Sequence, residues 1–335
     1  MRIIVPISDG IANWLKPATS RACPLCNGWD HLLLGNRMQH NLNLTTVICN
    51  NCSFVFTNPL PPQDTYERFY VEAYEKFYKY TLTRPASGFG ENEPAYFTRR
   101  LDWIESVNAL KGLRLLDVGP GQGGILWWAR RRGAVVMGIE PSPLLSQDLA
   151  NLGLPCVCSS FGNLQMPTNK KFDIIVMSHV LEHFYDPNPA LEKCRTILAD
   201  SGILVVEVPN ILKPFRSLDR YFLRYVHPSS FSPQTLQGML EKHGFSVKFI
   251  HEIEDNWHSP PGVFAIAYLD NEIAQHNSLP GQSAEEVSRI LKNYRRRWVY
   301  YLGAAWHVHR VFLKGRRLAY RVARRMKRTI LYGRS

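Results

Sequence analysis

The sequence has no long uncharged apolar run, and no stretch reaches the roughly 18 residues that a membrane-spanning helix needs. The apolar stretch from Met1 to Pro6 is also too short for a signal peptide. Internal repeats at solenoid periods and low-complexity segments are missing as well. With seven cysteines and no secretion signal, these absences favour a reducing compartment, and we expect a cytoplasmic protein.

Acidic residues are absent from the C-terminal end of the chain. No acid follows Glu286, whereas fifteen Lys and Arg residues do, and removing those fifteen from the total of 40 leaves 25 basic against 28 acidic residues. The formal net charge of +12 is therefore a property of the tail, which we place at residues 271–335. Its predicted basic helices, which also carry Trp and Tyr, suit peripheral contact with an anionic membrane at its inner face, but they could equally bind RNA or simply be solvated.

Four of the cysteines form two pairs with the same spacing: Cys23, Cys26, Cys49 and Cys52. Two turns that each offer a pair of thiolates are what a tetrahedral zinc ion requires. Short strands predicted from His31 and from Leu44 complete a zinc ribbon. His31 and His40 are alternative ligands, but four cysteines already fill a closed site, so we expect a structural zinc ion.

A glycine-rich turn separates a predicted strand from a predicted helix in the middle of the chain. The strand ends in an acid, Asp117, and glycines follow it at alternate positions: Gly119, Gly121 and Gly123. Because glycine permits positive φ and carries no Cβ, such a turn lets the backbone approach a ligand closely. The next predicted strand ends in Glu140, an acid about twenty residues beyond the glycines that can accept hydrogen bonds from ribose hydroxyls.

Polar residues also follow the third and fourth predicted strands. The turn that contains Ser160 and Phe161 would lie against the base of a bound nucleoside. Four polar residues come directly after the fourth strand: Ser178, His179, Glu182 and His183. Ligands in open α/β sheets bind beyond the carboxyl ends of the strands, so we expect chemistry there. A zinc site built on the two histidines is less well supported, because the sequence shows no third ligand.

Two further segments flank the predicted site. A helix before it carries aromatic residues at helical spacing: Tyr66, Phe69, Tyr70 and Tyr74. This stripe is either part of the core or, through Tyr70 and Tyr74, a lid over the mouth of the site. The insertion from Ile211 to Val226 follows the fifth strand, where it can wall a substrate pocket, and it leads directly to His227.

As a set, these motifs resemble class I S-adenosylmethionine-dependent methyltransferases that carry an N-terminal zinc ribbon, in the bacterial small-molecule and glycan branch. The resemblance covers roughly residues 20 to 270. It implies an α/β fold with a Rossmann-like seven-stranded sheet at 112–270, preceded by a zinc ribbon at 1–60 and a helical linker or lid at 61–111, and followed by the basic helical tail. It also implies S-adenosylmethionine as cofactor, bound by the glycine turn and these residues: Asp117, Glu140, Ser160, Phe161 and Ser178.

The resemblance implies methyl transfer to a hydroxyl or amine of a small molecule. The zinc ribbon and the proline-rich connector after it (residues 58–62) are similar to those of deoxysugar and glycan methyltransferases. This similarity points to a saccharide or glycolipid acceptor. Histidine suits proton removal near neutral pH, and the candidates for the general base are, in this order, His183, His179 and His227. Sugar C-methyltransferases of this kind have Glu-His where this chain has Val226-His227, so we expect O- or N-methylation.

Two other functions stay open at the level of the sequence. One is RNA methylation, in which the ribbon and the tail would grip nucleic acid. The slightly acidic body and the Ser178-His179 pair, in place of an Asn/Asp-Pro-Pro-Tyr-type motif, argue against it, and we expect no nucleic-acid partner. The other is a non-catalytic S-adenosylmethionine-binding protein of the same fold, against which the intact glycines and Glu140 argue.

Overall fold

The computed structural model describes residues 18–39, 42–72, 89–165, 171–215, 217–253, 261–270 and 281–297. The chain divides into two compact units, Met1–Ser288 and Arg289–Ser335. Both β-sheets belong to the first unit, and the second is described only to residue 297, as helix. The predicted basic helices beyond residue 297, His40, Tyr74 and the side chain of Tyr70 lie outside the described residues. Within the described part, no helix is long and apolar enough to cross a membrane.

The N-terminal sheet has four antiparallel strands in the order β1-β2-β3-β9. Their bounds are β1 His31–Gln39, β2 Leu42–Cys49, β3 Val55–Thr57 and β9 Ser229–Ser230. The sequence predicts β1 and β2 but not the other two, because strands of three and two residues are too short to show alternation. The last strand of this ribbon sheet thus comes from far along the chain.

Two helices connect the ribbon sheet to the second sheet. Helix α1, Gln63–Glu72, follows the proline-rich connector at residues 58–62. Asp64 lies in the first turn of this helix, where a carboxylate interacts favourably with the helix dipole. Helix α2, Ala95–Glu105, begins directly after Pro94 and buries Arg100 together with Leu101 and Ile104. A buried arginine on an otherwise apolar helix face indicates an acidic partner in the core.

The second sheet has the seven strands that the sequence predicts, in the order β10-β11-β8-β7-β4-β5-β6. The bounds are β4 Arg114–Val118, β5 Val135–Glu140, β6 Cys156–Cys158, β7 Phe172–Ser178, β8 Leu198–Pro209, β10 Phe245–Ile253 and β11 Gly262–Leu269. β11 runs antiparallel to both of its neighbours, β10 and β8, and the other neighbouring strands pair in parallel. This arrangement confirms the Rossmann-like α/β fold.

Helices alternate with these strands, as the βαβ pattern predicts. Their bounds are α3 Gly124–Arg131, α4 Pro143–Asn151, α5 Asn188–Ile197, α6 Leu218–Tyr221 and α7 Pro233–Lys242. Helix α7 begins after Ser232, which caps it, and Pro233 occupies its first turn. Helix α5 ends at Ile197, because Leu198 already pairs with Phe172 of β7.

The side chains of the central strands alternate between two apolar clusters, one on each face of the sheet. On β8, Leu204, Val206 and Val208 belong to the first cluster, whereas Ile203 and Val205 belong to the second. The first cluster continues into the ribbon through these residues: Cys23, Leu25, Val47, Cys49, Phe54 and Phe56. The ribbon and the large sheet therefore share one hydrophobic core.

Candidate active site

The glycine turn after β4 combines close packing with an open face. Gly119, Gly121 and Gly123 have φ of 67°, 56° and 83°, values that L side chains rarely adopt. A Cβ at Gly123 would lie 2.3 Å from Leu149 Cδ2, and a Cβ at Gly119 would lie 2.8 Å from a methyl group of Val180. No atom lies within 4 Å of a Cβ built at Gly121. The two outer glycines thus permit packing, and the middle one leaves space for a ligand.

Two buried carboxylates lie at the ends of the neighbouring strands β4 and β5. Glu140 accepts hydrogen bonds from the backbone N–H of Gly121 (3.1 Å) and from that of Ser142 (2.9 Å). A carboxylate at the end of the second strand is placed where it can accept hydrogen bonds from ribose hydroxyls. Burial, and then the charge of Glu140, raises the pKa of Asp117 well above its usual value.

The turn after β6 is held by a lysine that the sequence did not single out. Lys193 Nζ donates hydrogen bonds to the carbonyls of Phe161 (2.5 Å), Gly162 (2.7 Å) and Leu164 (2.9 Å). Phe161 is buried, and the Ser160 hydroxyl accepts a hydrogen bond from the Asn163 N–H (3.3 Å). The side chain of Phe161 is thus fixed beyond the carboxyl end of β6, at the edge of the sheet where Glu140 ends β5.

Beyond β7, His179 lies between two carboxylates. Its Nε2 is 3.4 Å from Glu207 Oε1, and its Nδ1 is 3.6 Å from Glu182 Oε1. Burial by itself would lower the pKa of His179, but Glu182 and then Glu207 outweigh it and raise the pKa well above the usual value. His179 also has a φ of 56°, and its N–H donates to the Glu207 carbonyl (2.8 Å). This imidazole is therefore positively charged at neutral pH, which does not suit a base.

Glu207 is the centre of a buried polar network. The guanidinium of Arg100 donates to both of its carboxylate oxygens, and the Ser178 hydroxyl donates to Oε2 (2.9 Å). Burial would raise the pKa of Glu207, but His179 and then Arg100 lower it to about 2. The ring of Tyr96 covers the guanidinium at 3.4 Å. Arg100 and Glu207 are not among the predicted site residues, although an acid inside the apolar run of β8 is a usable signal in the sequence.

The other two candidate bases, His183 and His227, are brought together. Their ring centroids are 4.6 Å apart in an edge-to-face arrangement. His183 Nδ1 lies 2.7 Å from the Val226 carbonyl, and His227 Nδ1 lies 3.1 Å from the Phe222 carbonyl. Because a carbonyl only accepts, each Nδ1 carries the proton and each neutral ring keeps its lone pair at Nε2. Burial lowers the pKa of both histidines, so both are neutral near pH 7.

The same pair acquires a third potential metal ligand in the fold. One donor atom from each of Glu182, His183 and His227 lies within 4.8 Å of the other two. Glu182 Oε2 is buried and has no hydrogen-bond partner among the described residues. This cluster differs from the zinc site considered from the sequence, which paired His179 with His183, because His227 comes from a different loop. Two histidines and a glutamate form a donor set that can hold a divalent cation.

The four cysteines of the ribbon also fit a metal ion. Their sulfur atoms lie within 4.8 Å of one another, with Cys23 and Cys52 at 3.5 Å and Cys26 and Cys49 at 3.4 Å. Zn–S bonds of about 2.3 Å would place the sulfurs of a tetrahedral site roughly 3.8 Å apart. The hydrogen bond with Cys49 raises the pKa of Cys23 to about 12, and a bound cation would favour the thiolate of this residue.

The structure does not use His31 as a zinc ligand. Its Nε2 is hydrogen-bonded with the Gly28 carbonyl (3.0 Å), and its Nδ1 is hydrogen-bonded with Asn58 Nδ2 (3.3 Å). The cysteine cluster alone therefore accounts for the expected structural zinc ion, with the closed Cys₄ donor set that the spacing predicts.

Comparison with known proteins finds methyltransferases among the curated matches. The ubiquinone biosynthesis O-methyltransferase of Bradyrhizobium diazoefficiens is 32% identical over 113 residues, which are 32% of this chain and 44% of that protein. The enzyme of the same name from Nitrobacter winogradskyi is 33% identical over 111 residues, 31% of this chain and 42% of that protein. The chain thus spans less than half the length of these curated relatives.

Among solved structures, a Burkholderia thailandensis 1,6-didemethyltoxoflavin-N1-methyltransferase with bound 1,6-didemethyltoxoflavin and S-adenosylhomocysteine is similar at a TM-score of 0.49. It is 12% identical, and the match covers 70% of this chain and 98% of that protein.

A family model described as a methyltransferase domain matches residues 74–248. The matched segment contains the glycine turn, Glu140 and the paired histidines His183 and His227. Because this match extends over more than half of the 335 residues, the chain belongs to the family of methyltransferase domains.

Proposed function

We propose that this chain transfers a methyl group from S-adenosylmethionine to a hydroxyl or amine of a small molecule, and that the acceptor is a saccharide or glycolipid. The observation that carries the proposal is the neutral His183–His227 pair. His183 follows β7, which pairs with β4, the strand that leads into the glycine turn, and this turn is open at Gly121. When bound, S-adenosylmethionine supplies an electrophilic methyl group on its sulfonium. The protein then needs only to align a nucleophile and remove its proton.

The residues of the cofactor half fit a nucleoside with a methionine chain. The open backbone at Gly121 accommodates close approach, and the buried Glu140 offers acceptors to ribose hydroxyls. Phe161, whose carbonyl accepts a hydrogen bond from Lys193, provides an apolar surface for the nucleobase of the cofactor. We assign Asp117 and Ser178 to the edge of this site, because Asp117 is buried at the end of β4 and Ser178 at the end of β7 bonds Glu207.

We assign the general base to His183, with His227 as its neighbour. Both rings are neutral and keep a lone pair at Nε2, whereas His179 is held in the charged form by two carboxylates. A proton taken up at His183 Nε2 would be stabilised by the Glu182 carboxylate, whose Oε1 lies 4.0 Å away. Such a base typically contributes 10²- to 10⁴-fold in rate, and alignment contributes about 7–11 kcal/mol in the best intramolecular cases.

Two considerations support a hydroxyl acceptor in particular. The curated relatives carry names that specify O-methylation. Val226 stands in place of the glutamate that precedes the histidine in similar sugar C-methyltransferases, so this chain lacks a carboxylate at that position. The saccharide assignment rests on the resemblance of the zinc ribbon and the proline connector to those of glycan methyltransferases.

We further propose that the basic tail brings the enzyme to an anionic membrane surface, where a glycolipid acceptor would be found. A tail with fifteen basic residues and no acid after Glu286 suits such a surface. Flotation of the full-length chain with phosphatidylserine-containing and with neutral vesicles tests this role. Equal partitioning into both kinds of vesicle would remove the membrane role and leave a solvated or RNA-binding tail.

The central experiment is a methyl-transfer assay with ¹⁴C-methyl S-adenosylmethionine and a panel of nucleotide sugars, lipid-linked saccharides, phenols and a structured RNA. We expect a labelled saccharide and release of S-adenosylhomocysteine. Label in RNA alone would select the RNA alternative. If calorimetry detects no binding of S-adenosylmethionine, the methyl-transfer proposal fails, and binding without transfer to any acceptor would favour a non-catalytic protein.

Turnover measured with the chelator EDTA distinguishes two roles of the histidine pair, that of a general base and that of a cation site. If EDTA abolishes turnover while the cysteine-bound zinc is retained, Glu182, His183 and His227 act as ligands of a divalent cation that binds the acceptor hydroxyl. If turnover is unchanged, the His183 lone pair takes up the proton itself. We expect unchanged turnover.

A further inference from the structure

One side chain of the ribbon reaches both loops that carry the paired histidines. The guanidinium of Arg21 donates one hydrogen bond to the carbonyl of Tyr185 (2.6 Å) and another to the carbonyl of Pro228 (3.2 Å). Tyr185 is two residues beyond His183, and Pro228 directly follows His227. Arg21 therefore joins two segments that are distant in sequence but adjacent at the candidate active site.

The position of Arg21 is itself fixed by the ribbon. Its backbone N–H donates to Asn58 Oδ1 (2.9 Å), and its guanidinium lies between the rings of Phe56 (5.4 Å) and Tyr185 (5.7 Å). The planar fork of an arginine donates to two carbonyls in fixed directions, whereas the donors of a lysine ammonium rotate on a flexible stem. Arg21 thus acts as a rigid bridge rather than as a mobile surface charge.

A second connection runs through the backbone after His227. The Pro228 carbonyl also accepts a hydrogen bond from the Thr57 N–H (2.9 Å), and β9 pairs with β3 through Phe56–Ser229 and Val55–Ser230. The segment that follows His227 is therefore a strand of the ribbon sheet. Any shift of β3 is transmitted directly to the position of this histidine.

The cysteine cluster holds the other end of this connection. The Cys49 N–H donates to the Phe54 carbonyl (2.9 Å), and the Ser53 N–H donates to the Cys49 carbonyl (2.9 Å), which closes the second knuckle immediately before β3. β2, which ends at Cys49, pairs with β3 through Ile48–Val55 and Val47–Phe56. A metal ion that binds the four cysteines would thereby fix β3 and the partners of Arg21.

His183 receives a third contact from the segment that follows the ribbon. The Tyr66 hydroxyl on α1 donates to the His183 carbonyl (2.9 Å). The Tyr66 ring packs against Tyr185 and Tyr225, with centroids 5.7 Å and 5.5 Å away. Tyr66 thus hydrogen-bonds the backbone at His183, and Arg21 hydrogen-bonds the backbone directly after His227.

We propose that Arg21 is a positioning residue of the methyltransferase, and that the zinc ribbon forms the framework which sets the spacing of His183 and His227. The importance of that spacing for turnover rests on the function proposed above. Its geometry does not, because the bridge from the ribbon to both loops exists whichever atom accepts the methyl group. The ribbon is accordingly a part of the acceptor site rather than an independent module.

The test compares Arg21→Met with a control that removes another ribbon contact. Lys242 Nζ on α7 donates to the carbonyl of Pro24 (2.8 Å), inside the first knuckle, so Lys242→Met loses a similar bond without touching either histidine loop. Both variants are made in the full-length, zinc-loaded protein with ¹³C-labelled histidine. His183→Gln and His227→Gln identify the two imidazole resonances.

We expect Arg21→Met to keep one zinc ion per chain and its affinity for S-adenosylhomocysteine within two-fold, while the resonances of both histidines shift. Lys242→Met should leave both resonances in place. With the acceptor from the screen, kcat of Arg21→Met should fall about 10²-fold with KM changed much less, since a misplacement of about 1 Å can cost that much. Arg21→Lys should recover only part of the loss.

Unshifted resonances in Arg21→Met, or equal shifts in Lys242→Met, would overturn the proposal. If Arg21→Met does not fold, Tyr66→Phe takes its place, and it should shift the His183 resonance but not that of His227. Equal shifts of both, or no shift, would again overturn it. The general-base assignment is tested separately. If both His183→Gln and His227→Gln keep wild-type turnover, neither histidine is the general base, and the resonance shifts in Arg21→Met still test the positioning role of Arg21.

Discussion

His183 and His227 lie edge to face, 4.6 Å apart, although they belong to different loops. Each uses its Nδ1 on a backbone carbonyl, which fixes the same tautomer in both rings. Each neutral imidazole keeps a lone pair at Nε2. This relationship, rather than either residue alone, makes the pair a candidate for proton removal.

Replacement of His183 by alanine should lower turnover 10²- to 10⁴-fold, because it removes the group that takes the proton from the acceptor. Cofactor affinity should stay nearly unchanged, since the glycine turn and Glu140 are untouched. Steady-state kinetics and calorimetry measure the two quantities. His251→Gln is the matched control, an exposed histidine on β10 that should keep wild-type turnover. Wild-type turnover in His183→Ala would show that His183 is not the base.

The stability of the fold should fall as the pH drops from about 6.5 towards 4. Burial lowers the pKa of His243 to about 4, against about 6.5 in an unfolded chain. Between these values the unfolded chain binds more protons, so the stabilisation is fully present above pH 6.5 and is lost as the pH falls. The raised pKa of His179 has the opposite sign, since its contribution is present below about pH 6.5 and is lost at higher pH.

Urea unfolding at a series of pH values measures this dependence. His243→Gln should flatten the curve between pH 6.5 and 4, because it removes the titrating group while an amide can still reach Asn188, the present partner of the ring (2.8 Å). An unchanged slope in this variant would assign the acid sensitivity to His183 and His227 instead.

Glu207→Gln should destabilise the protein by about 3–5 kcal/mol, because it leaves the guanidinium of Arg100 as an uncompensated buried charge. The exposed ion pair of Arg114 with Asp173 offers a control, since its side chains are 49% and 22% exposed. Asp173→Asn should cost about 0–1 kcal/mol. Urea titration compares the two variants. A similar small cost in both would mean that water reaches the Arg100 site.

The glycines of the turn should separate binding from folding. Gly123→Ala should destabilise the fold, because its Cβ would overlap Leu149. Gly121→Val should mainly weaken cofactor binding, because its side chain would fill the open space beside the turn. Both changes also carry a backbone cost at positive φ, which is about 1–2 kcal/mol for alanine and larger for the β-branched valine. Thermal unfolding and calorimetry on both variants test the contrast, and equal loss of affinity in the two would contradict it.

Loss of the ribbon metal should destabilise more than the ribbon. Cys26→Ser removes the exposed ligand of the cysteine cluster and should lower both zinc content and the unfolding midpoint, because the ribbon shares its core with the large sheet. Cys158→Ser, an exposed cysteine outside the cluster, should change neither. Metal analysis and urea unfolding provide the measurements. A zinc-free Cys26→Ser with a wild-type midpoint would contradict the shared core.

The large sheet and the cysteine cluster were predictable because their signals are local. Each central strand is a continuous apolar run, and each knuckle is a short motif with its own spacing. The glycine turn and the acid at Glu140 are equally local, since their roles follow from one strand end and the turn beside it.

The contacts of the site were not predictable in the same way, because they join distant parts of the chain. Nothing near Arg100 indicates that it meets Glu207, and nothing near His183 indicates that it meets His227. The raised pKa of His179 was not predictable for the same reason, since it arises because Glu182 and Glu207 converge on the ring. Pairwise electrostatics of this kind requires the fold.

The last strand of the ribbon sheet has a consequence for how the chain is made. β3 exposes its free edge until Ser229 and Ser230 have been synthesised, more than 170 residues later. An unpaired strand edge is a template for association with other chains. Nascent or truncated chains that end before β9 should therefore aggregate through the ribbon, even when the metal is already bound to the cysteines.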